Sequence, residues 1–201
     1  HKPIVEGVRA LKYGPPVATM RKYLEDMEAS PYTGVSGSEV PPTVIAALGP
    51  KMLALASEKT KGAHPYFSSP DHTLLARKIM GDKAWLCVEQ KVILEKDPIL
   101  ARNLARPVVQ IYQSLPNYRN NWLRMGLTED DIDTLSDKFI DTTFAWGSAK
   151  DINTRIEEHI EAGANHVCIQ PINPNGKMGD LHWNCLESIS QFRHNRENLK
   201  N

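Results

Sequence analysis

The stretch Val44-Ile-Ala-Ala-Leu-Gly-Pro-Lys-Met52 decides the fold of this 201-residue chain. Its first half is a short apolar run that begins with β-branched residues, which predicts a buried strand over residues 43–48. Gly49 and Pro50 then turn the chain directly into a helix. A strand that leads so directly into a helix is typical of a parallel β/α unit.

The turn in this stretch has the features of a phosphate-binding site. Small residues and Gly49 let the backbone approach a ligand closely. The first N–H groups of the helix lack intrahelical partners and carry a partial positive charge. Pro50 suits the first helical position, where an N–H would have no partner, and Lys51 adds a charge. An ordinary tight turn has the same sequence, so both interpretations remain open on these residues alone.

Strand and helix patterns alternate along the rest of the chain. Further strands are predicted over residues 62–67, 85–94 and 165–170, with helices between and after them, including one over residues 137–146. This alternation indicates an α/β fold in which helical crossovers join parallel strands. Four strands fit half of an eight-stranded β/α barrel, or a small open doubly wound sheet. A complete barrel needs about 250 residues, so this chain is short of one.

Composition and cysteine usage exclude several classes of protein. The 24 basic residues equal the 24 acidic ones, so the charge typical of a nucleic-acid-binding protein is missing. The longest clean apolar run, Val44 to Leu48, is far below the roughly 18 residues of a membrane helix. Cys87, Cys168 and Cys185 form no C-x-x-C pair, which favours reduced thiols and a cytoplasmic protein. The histidines lack metal-ligand spacing, so we expect no metal site.

The segment Lys61-Gly-Ala-His-Pro-Tyr-Phe67 is a second candidate for the binding site. It places His64 and Tyr66 at the end of a predicted strand, which is the rim where barrels keep their active sites. His64 suits hydrogen bonding to a bound ring or proton transfer near neutral pH. A packed histidine with a satisfied partner is the competing interpretation.

Two other polar segments are interpreted as structural. Glu89 and Gln90 interrupt an otherwise apolar strand, and buried polar groups need partners. We therefore expect structural hydrogen bonds from them rather than catalysis. In the segment 117–124, Tyr118 and Trp122 have the i, i+4 spacing of side chains that pack together on a helix.

Several motifs in the same order carry a resemblance to a known family. They are Val-Ile-Ala-Ala-Leu-Gly-Pro-Lys-Met at 44–52, Gly-Ala-His-Pro-Tyr at 62–66, Pro-Asp-His-Thr at 70–73, Val-Glu-Gln-Lys-Val at 88–92, Leu-Pro-Asn-Tyr at 115–118 and Ala-Gly-Ala-Asn-His-Val at 162–167. Together they resemble the bacterial luciferase-like superfamily, and within it the probable coenzyme F-420-dependent oxidoreductases. The resemblance covers about residues 1–172.

The resemblance implies an incomplete TIM-like (β/α)8 barrel of the luciferase-like type, with strands five to eight present. The chain, residues 1–201, is then one domain, the C-terminal portion of a barrel whose N-terminal strands are missing. The interior-like start, His1-Lys2-Pro3, agrees with this expectation.

The resemblance also implies a cofactor and the residues that contact it. The cofactor is the deazaflavin coenzyme F-420, with flavin mononucleotide (FMN) as the alternative. The implied cofactor-binding residues are Ala47, Leu48, Gly49, Pro50 and Lys51 in the phosphate turn, and Gly62, Ala63, His64, Pro65 and Tyr66 in the pocket wall. Family residues that flank the reacting ring come largely from the missing strands, so no catalytic residue is assigned here.

The function implied is hydride transfer between reduced F-420 and a small organic substrate, or monooxygenation with FMN and O2. The alternative is a non-catalytic half-barrel, a fragment or subunit that needs a partner, with a homo-oligomer as one solution, because open strand edges are a liability. A phosphosugar-type barrel enzyme shares the phosphate turn, but the sequence shows no clear Lys or carboxylate pair for that chemistry.

Overall fold

The computed structural model describes residues 2–31, 33–35, 41–177 and 179–198, with the side chains of residues 195–198 excepted. The strands are β1 (Val44–Ala46), β2 (Gly62–His64), β3 (Trp85–Ile93), β4 (Phe144–Trp146) and β5 (His166–Pro171). The helices are α1 (Pro16–Ala29), α2 (Pro50–Lys59), α3 (Pro70–Met80), α4 (Pro98–Gln113), α5 (Pro116–Arg124), α6 (Glu129–Thr134), α7 (Asp137–Thr143), α8 (Ala149–Glu161) and α9 (Trp183–Asn198). A short π-helical segment, Pro3–Val8, precedes α1.

Helix starts follow the local sequence. The first five helices each have a proline at their first position, where a missing N–H leaves no partner unsatisfied. Thr128 and Ser148 form capping boxes with the residue three positions later, at the starts of α6 and α8. No helix in the described part of the chain is both long and apolar enough to cross a membrane.

All strand pairs in the sheet are parallel, as the alternating pattern predicts. The order is β1-β2-β3-β4, and β5 also pairs with β3. Within the described residues β1 pairs only with β2, and β5 only with β3, so each of these two strands has one unpaired edge. The expectation of an α/β fold with an incomplete set of barrel strands is confirmed.

The side chains of the central strand β3 lie alternately on the two faces of the sheet. Side chains alternate across a strand, and Leu86, Val88 and Val92 are buried among side chains of the surrounding helices. Glu89 and Lys91 point to the opposite face, which we call the inner face. Gln170 of β5, the register partner of Lys91, lies on the same face.

One predicted element is wrong. The sequence pattern predicts a helix through residue 146, whereas α7 ends at Thr143 and Phe144–Trp146 is strand β4. The physical reason is the partner strand, because residues 91–93 of β3 extend beyond β2 and pair with β4. Aromatic residues such as Phe144 and Trp146 are favourable in strands, so pairing with β3 overrides a continuous helix.

A buried histidine network predicts how stability depends on pH. The ring of His159 is fully buried, with Nδ1 2.8 Å from the Thr73 hydroxyl and Nε2 3.0 Å from Oε1 of Gln90. Burial lowers the pKa of His159 to about 4 from its ordinary value of 6.5.

Between pH 6.5 and 4 the unfolded chain therefore binds a proton at His159 that the folded chain does not. We expect the free energy of unfolding to fall across this window as pH is lowered, by up to about 1.4 kcal/mol per pH unit from this group. Urea unfolding of wild type and His159→Gln at several pH values measures how the free energy of unfolding of each protein depends on pH. Equal pH slopes in the two proteins would contradict the assignment.

Candidate cofactor-binding site

A cavity of about 900 Å³ opens at the carboxyl ends of β1 and β2, where barrel enzymes keep their active sites. The sequence-predicted residues among its lining are Ala47, Leu48, Gly49, Pro50, Lys51, His64 and Tyr66. The start of α1 contributes Pro16 and Val17, and α5 contributes Asn117, Tyr118, Asn120 and Arg124. The structure thus brings the two predicted segments to one place.

The phosphate turn, residues 47–51, ends in a helix start without a side-chain cap. Gly49 is the N-cap of α2 with extended backbone, and no side chain bonds to the first turn of the helix. The carbonyl of Gly49 accepts from the N–H groups of Met52 and Leu53, both at 3.0 Å. The N–H groups of Gly49 and Lys51 have no partner within the helix, and Pro50 between them has no N–H. Both groups lie at the N-terminal end of α2, which attracts anions.

His72 on α3 supports this turn through a hydrogen bond to its backbone. Its ring is buried, and Nε2 lies 2.9 Å from the carbonyl oxygen of Leu48. A carbonyl only accepts, so Nε2–H is the donor. Burial lowers the pKa of His72, which keeps the ring neutral at neutral pH. The position of Leu48 in front of α2 is therefore fixed by a buried side chain.

Arg124 is a functional candidate that the sequence reasoning missed. The C-terminal end of α5 brings its Nη2 to within 3.5 Å of the point where a side chain on Gly49 would begin. Nη2 also donates to Oδ1 of Asn121 at 3.3 Å. Burial lowers the pKa of Arg124, but a guanidinium stays charged in proteins.

None of the ion pairs formed among the described side chains includes Arg124. Tyr118 and Trp122 pack together, as their i, i+4 spacing predicts, with ring centroids 5.8 Å apart. The signal that was available is the position of Arg124, i+3 from Asn121 and two residues past Trp122. This places it away from Trp122, on the side of the helix from which Asn117 and Asn120 also line the cavity.

His64 reaches the cavity from β2. Its Cα lies opposite that of Ala46 in the parallel register. Nδ1 lies 2.6 Å from the carbonyl oxygen of Cys87 on the next strand, which fixes the orientation of the ring. The competing interpretation of a satisfied histidine is therefore half right, because one ring nitrogen is satisfied and the side chain still lines the cavity.

Tyr66 forms the wall of the cavity next to His64. Its hydroxyl donates to Oε1 of Gln170 at 2.8 Å and lies 3.3 Å from the hydroxyl of Tyr112. Burial raises the pKa of Tyr66 above its ordinary value, so the phenol stays protonated. Nζ of Lys91 lies 3.7 Å from the centroid of the Tyr66 ring. This wall is held by contacts from three other elements.

Behind Tyr66 the inner face holds a buried ion pair. Nζ of Lys91 lies 3.1 Å from Oε1 of Glu89, and both side chains are at most 3% exposed. Burial lowers the pKa of Lys91 to about 8, against the opposing effect of Glu89. Oε2 of Glu89 accepts the backbone N–H of Phe67 at 2.9 Å. Glu89 is thus a buried residue with structural hydrogen bonds, as expected.

Gln90 meets the same expectation on the opposite face of β3. Its amide nitrogen donates to the carbonyl oxygens of Lys91 and Thr143 at 2.8 and 3.1 Å. Its amide oxygen lies 3.0 Å from Nε2 of His159. Both polar interruptions of this strand therefore have partners within the chain.

Three predicted site residues do not line the cavity. Gly62, Ala63 and Pro65 are buried in or beside β2. A Cβ on Gly62 would lie 2.0 Å from the carbonyl oxygen of Trp85, so this glycine permits close approach of two strands. Elsewhere in the described residues, no three His, Cys, Asp or Glu side chains are grouped to hold a metal ion.

Comparison with known proteins gives structural neighbours only. No family model and no curated protein matches the chain. One solved structure that matches the chain is an F420-dependent secondary alcohol dehydrogenase in complex with an F420–acetone adduct. Its sequence is 14% identical, the TM-score is 0.50, and the match covers 70% of this chain and 46% of that chain. Another is the coenzyme F420-dependent tetrahydromethanopterin reductase from Methanopyrus kandleri, 18% identical with a TM-score of 0.55 over 90% of this chain and 63% of that one.

The chain spans about half to two-thirds of the length of these solved structures. At such identities the similarity is one of fold. Both neighbours are F420-dependent enzymes, which is the group that the sequence motifs resemble. The chain therefore has part of the α/β fold of these two solved structures.

Proposed function

We propose that this chain is the cofactor-binding part of an oxidoreductase that transfers a hydride between reduced coenzyme F420 and a small organic substrate. The observation that carries the proposal is the uncapped start of α2 beside Arg124, on the wall of the cavity. The turn residues of the sequence motif and the cation from α5 meet there. The names of the two structural neighbours agree with this choice of cofactor.

The residues present fit a phosphate-bearing cofactor. Free N–H groups at a helix start are favourable partners for phosphate oxygens, and the helix dipole favours negative charge there. Arg124 adds a forked donor, which suits phosphate geometry. Lys51 is exposed at the second position of α2 and adds a further positive charge. Pro50 has no N–H to offer, so its contribution is the shape of the turn.

The bound deazaflavin supplies the hydride chemistry. The chain supplies binding, orientation and shelter from water. Leu48 to Lys51 and Arg124 hold the phosphate, and His64 and Tyr66 form the wall beside the ring. We assign no catalytic residue within the chain. FMN, with O2 as the co-substrate, remains the alternative, because FMN too joins a tricyclic ring to a phosphate. The sequence motifs favour F420.

A second candidate function is favoured by the open sheet. β1 and β5 each have an unpaired edge among the described residues, and Cys168 on the inner face is exposed. A subunit that pairs with a complementary β/α segment, or with a second copy, would cover them. On this proposal the chain binds cofactor only when that partner is present. The free thiols of Cys87, Cys168 and Cys185 agree with a cytoplasmic setting, which we propose for either function.

Fluorescence titration with F420 tests the first proposal. We expect wild type to bind F420 more tightly than FMN, and Arg124→Gln to bind F420 about tenfold more weakly, because a charge-assisted hydrogen bond to phosphate is lost.

The matched control is Lys83→Gln, which removes one positive charge before β3, at the opposite end of the parallel strands. It should bind F420 like wild type. Equal affinities of the Arg124 and Lys83 variants would place the phosphate elsewhere. Tight binding of FMN alone would overturn the choice of cofactor.

A further inference from the structure

The hydrogen bond of His64 to the backbone fixes which ring nitrogen carries the proton. Nδ1 lies 2.6 Å from the carbonyl oxygen of Cys87, and a carbonyl oxygen only accepts. Nδ1 must therefore carry the hydrogen. In the neutral imidazole the other nitrogen, Nε2, then has a free lone pair and acts as an acceptor.

That acceptor belongs to a cavity-lining side chain without another partner for it. Within the described residues, His64 forms no side-chain hydrogen bond besides the one from Nδ1. The hydroxyl of Tyr66, which lines the same cavity, donates its hydrogen to Gln170 and so does not donate to the His64 ring. An acceptor on the wall of a binding cavity selects a ligand that presents an N–H or O–H group.

His64 and the phosphate turn are also placed to contact one ligand together. Ala46 is the register partner of His64, and neighbouring strands lie about 4.8 Å apart. Gly49 follows Ala46 by three residues, which is at most about 11 Å of chain. A ligand whose phosphate lies at the turn therefore extends past His64 when it runs along the cavity.

We propose that Nε2 of His64 accepts a hydrogen bond from the imide N–H of the bound deazaflavin ring. This inference rests on the proposed function, since it takes the cofactor as given. The imide N–H is the fixed donor on the pyrimidine end of the ring, and it lies between two carbonyl groups that only accept. The flavin ring has the same imide, so the inference is independent of the choice between F420 and FMN.

Two substitutions separate this role from a purely structural one. His64→Asn keeps an N–H near the position of Nδ1, and so keeps the bond to Cys87, but has no acceptor at the position of Nε2. His64→Gln places a carbonyl oxygen near Nε2. We expect His64→Asn to weaken F420 binding about fivefold, and His64→Gln to weaken it less. Fluorescence titration gives the two dissociation constants, and thermal melting checks that both variants are folded.

A ligand analogue gives a test that needs no variant. The deazaflavin chromophore methylated at the imide nitrogen lacks the donor, so wild type should bind it about fivefold more weakly than the unmethylated chromophore. His64→Asn should bind the two ligands equally.

The outcomes separate this inference from the proposed function. Wild type that binds no F420 overturns the proposed function, and this inference with it. F420 binding that is equally tight in wild type and His64→Asn overturns this inference alone. So does an analogue that wild type binds as well as the parent chromophore. Nitrogen NMR of the His64 ring reports the tautomer separately, and a proton on Nε2 instead of Nδ1 would also overturn the inference.

Discussion

Replacing Lys91 by Met should lower the free energy of unfolding by about 3–5 kcal/mol. The substitution leaves Glu89 buried as a charge without its partner, at 3% exposure. Removing one member of a buried ion pair is costly because the remaining charge has lost both water and its counter-ion. The Met side chain also gives up the contacts of Nζ with the rings of Tyr66 and Phe67, at 3.7 and 4.0 Å.

The double variant Glu89→Gln/Lys91→Met should recover most of that loss. The glutamine introduced at position 89 carries no charge, and its amide oxygen can still accept the N–H of Phe67. Urea unfolding at pH 7 of wild type, the single and the double variant gives the free energies. Lys83→Met, at an exposed position, is the control and should change stability by less than about 0.5 kcal/mol. A single variant as stable as the double one would mean that the pair is not buried as described.

Replacing Gly62 by Ala should cost about 3 kcal/mol, at the upper end of the range for overpacking a well-packed site. The new Cβ would lie 2.0 Å from the carbonyl oxygen of Trp85 and 2.7 Å from its Cβ. Because the obstacle is backbone, the two strands must move apart, and the pairing of Gly62 with Trp85 is lost. The expected result is a lower melting temperature together with weaker F420 binding, since His64 is on the displaced strand.

Gly7→Ala is the matched control for this substitution. A Cβ at Gly7 meets nothing within 4 Å, so the free energy of unfolding of this variant should stay within about 0.5 kcal/mol of the wild-type value. If Gly62→Ala and Gly7→Ala have the same melting temperature, the close approach of β2 and β3 is not what requires glycine at position 62.

The parts of the fold that the sequence predicts well are those where local chemistry and tertiary structure agree. The stretch 44–52 combines a buried strand, a glycine cap and a proline start, and it folds as the strand, turn and helix predicted. Residues 144–146 are different. Their helical pattern continues from α7, and only the free edge of β3 beyond β2 turns them into a strand. A contact between segments so far apart in the sequence leaves no local signal.

The same distinction applies to the site. Ala47 to Lys51, His64 and Tyr66 meet at one cavity because parallel strands end at the same edge of a sheet. Arg124 was missed because its role depends on where α5 packs, which periodicity does not reveal. Lys91 was missed because a lysine in a strand is ordinarily exposed. Its burial depends on aromatic side chains from two segments distant in the sequence, Tyr66 and Phe67 after β2 and Tyr112 on α4.

Amide NMR of the wild-type chain during titration with F420 tests the central claim most directly. If the phosphate binds at the start of α2 and the ring lies beside β2, the largest shift changes should be at Gly49, Lys51 and His64, with Arg124 following. Saturating F420 that leaves the amides of Gly49 and Lys51 unmoved would contradict the account, whatever the measured affinity.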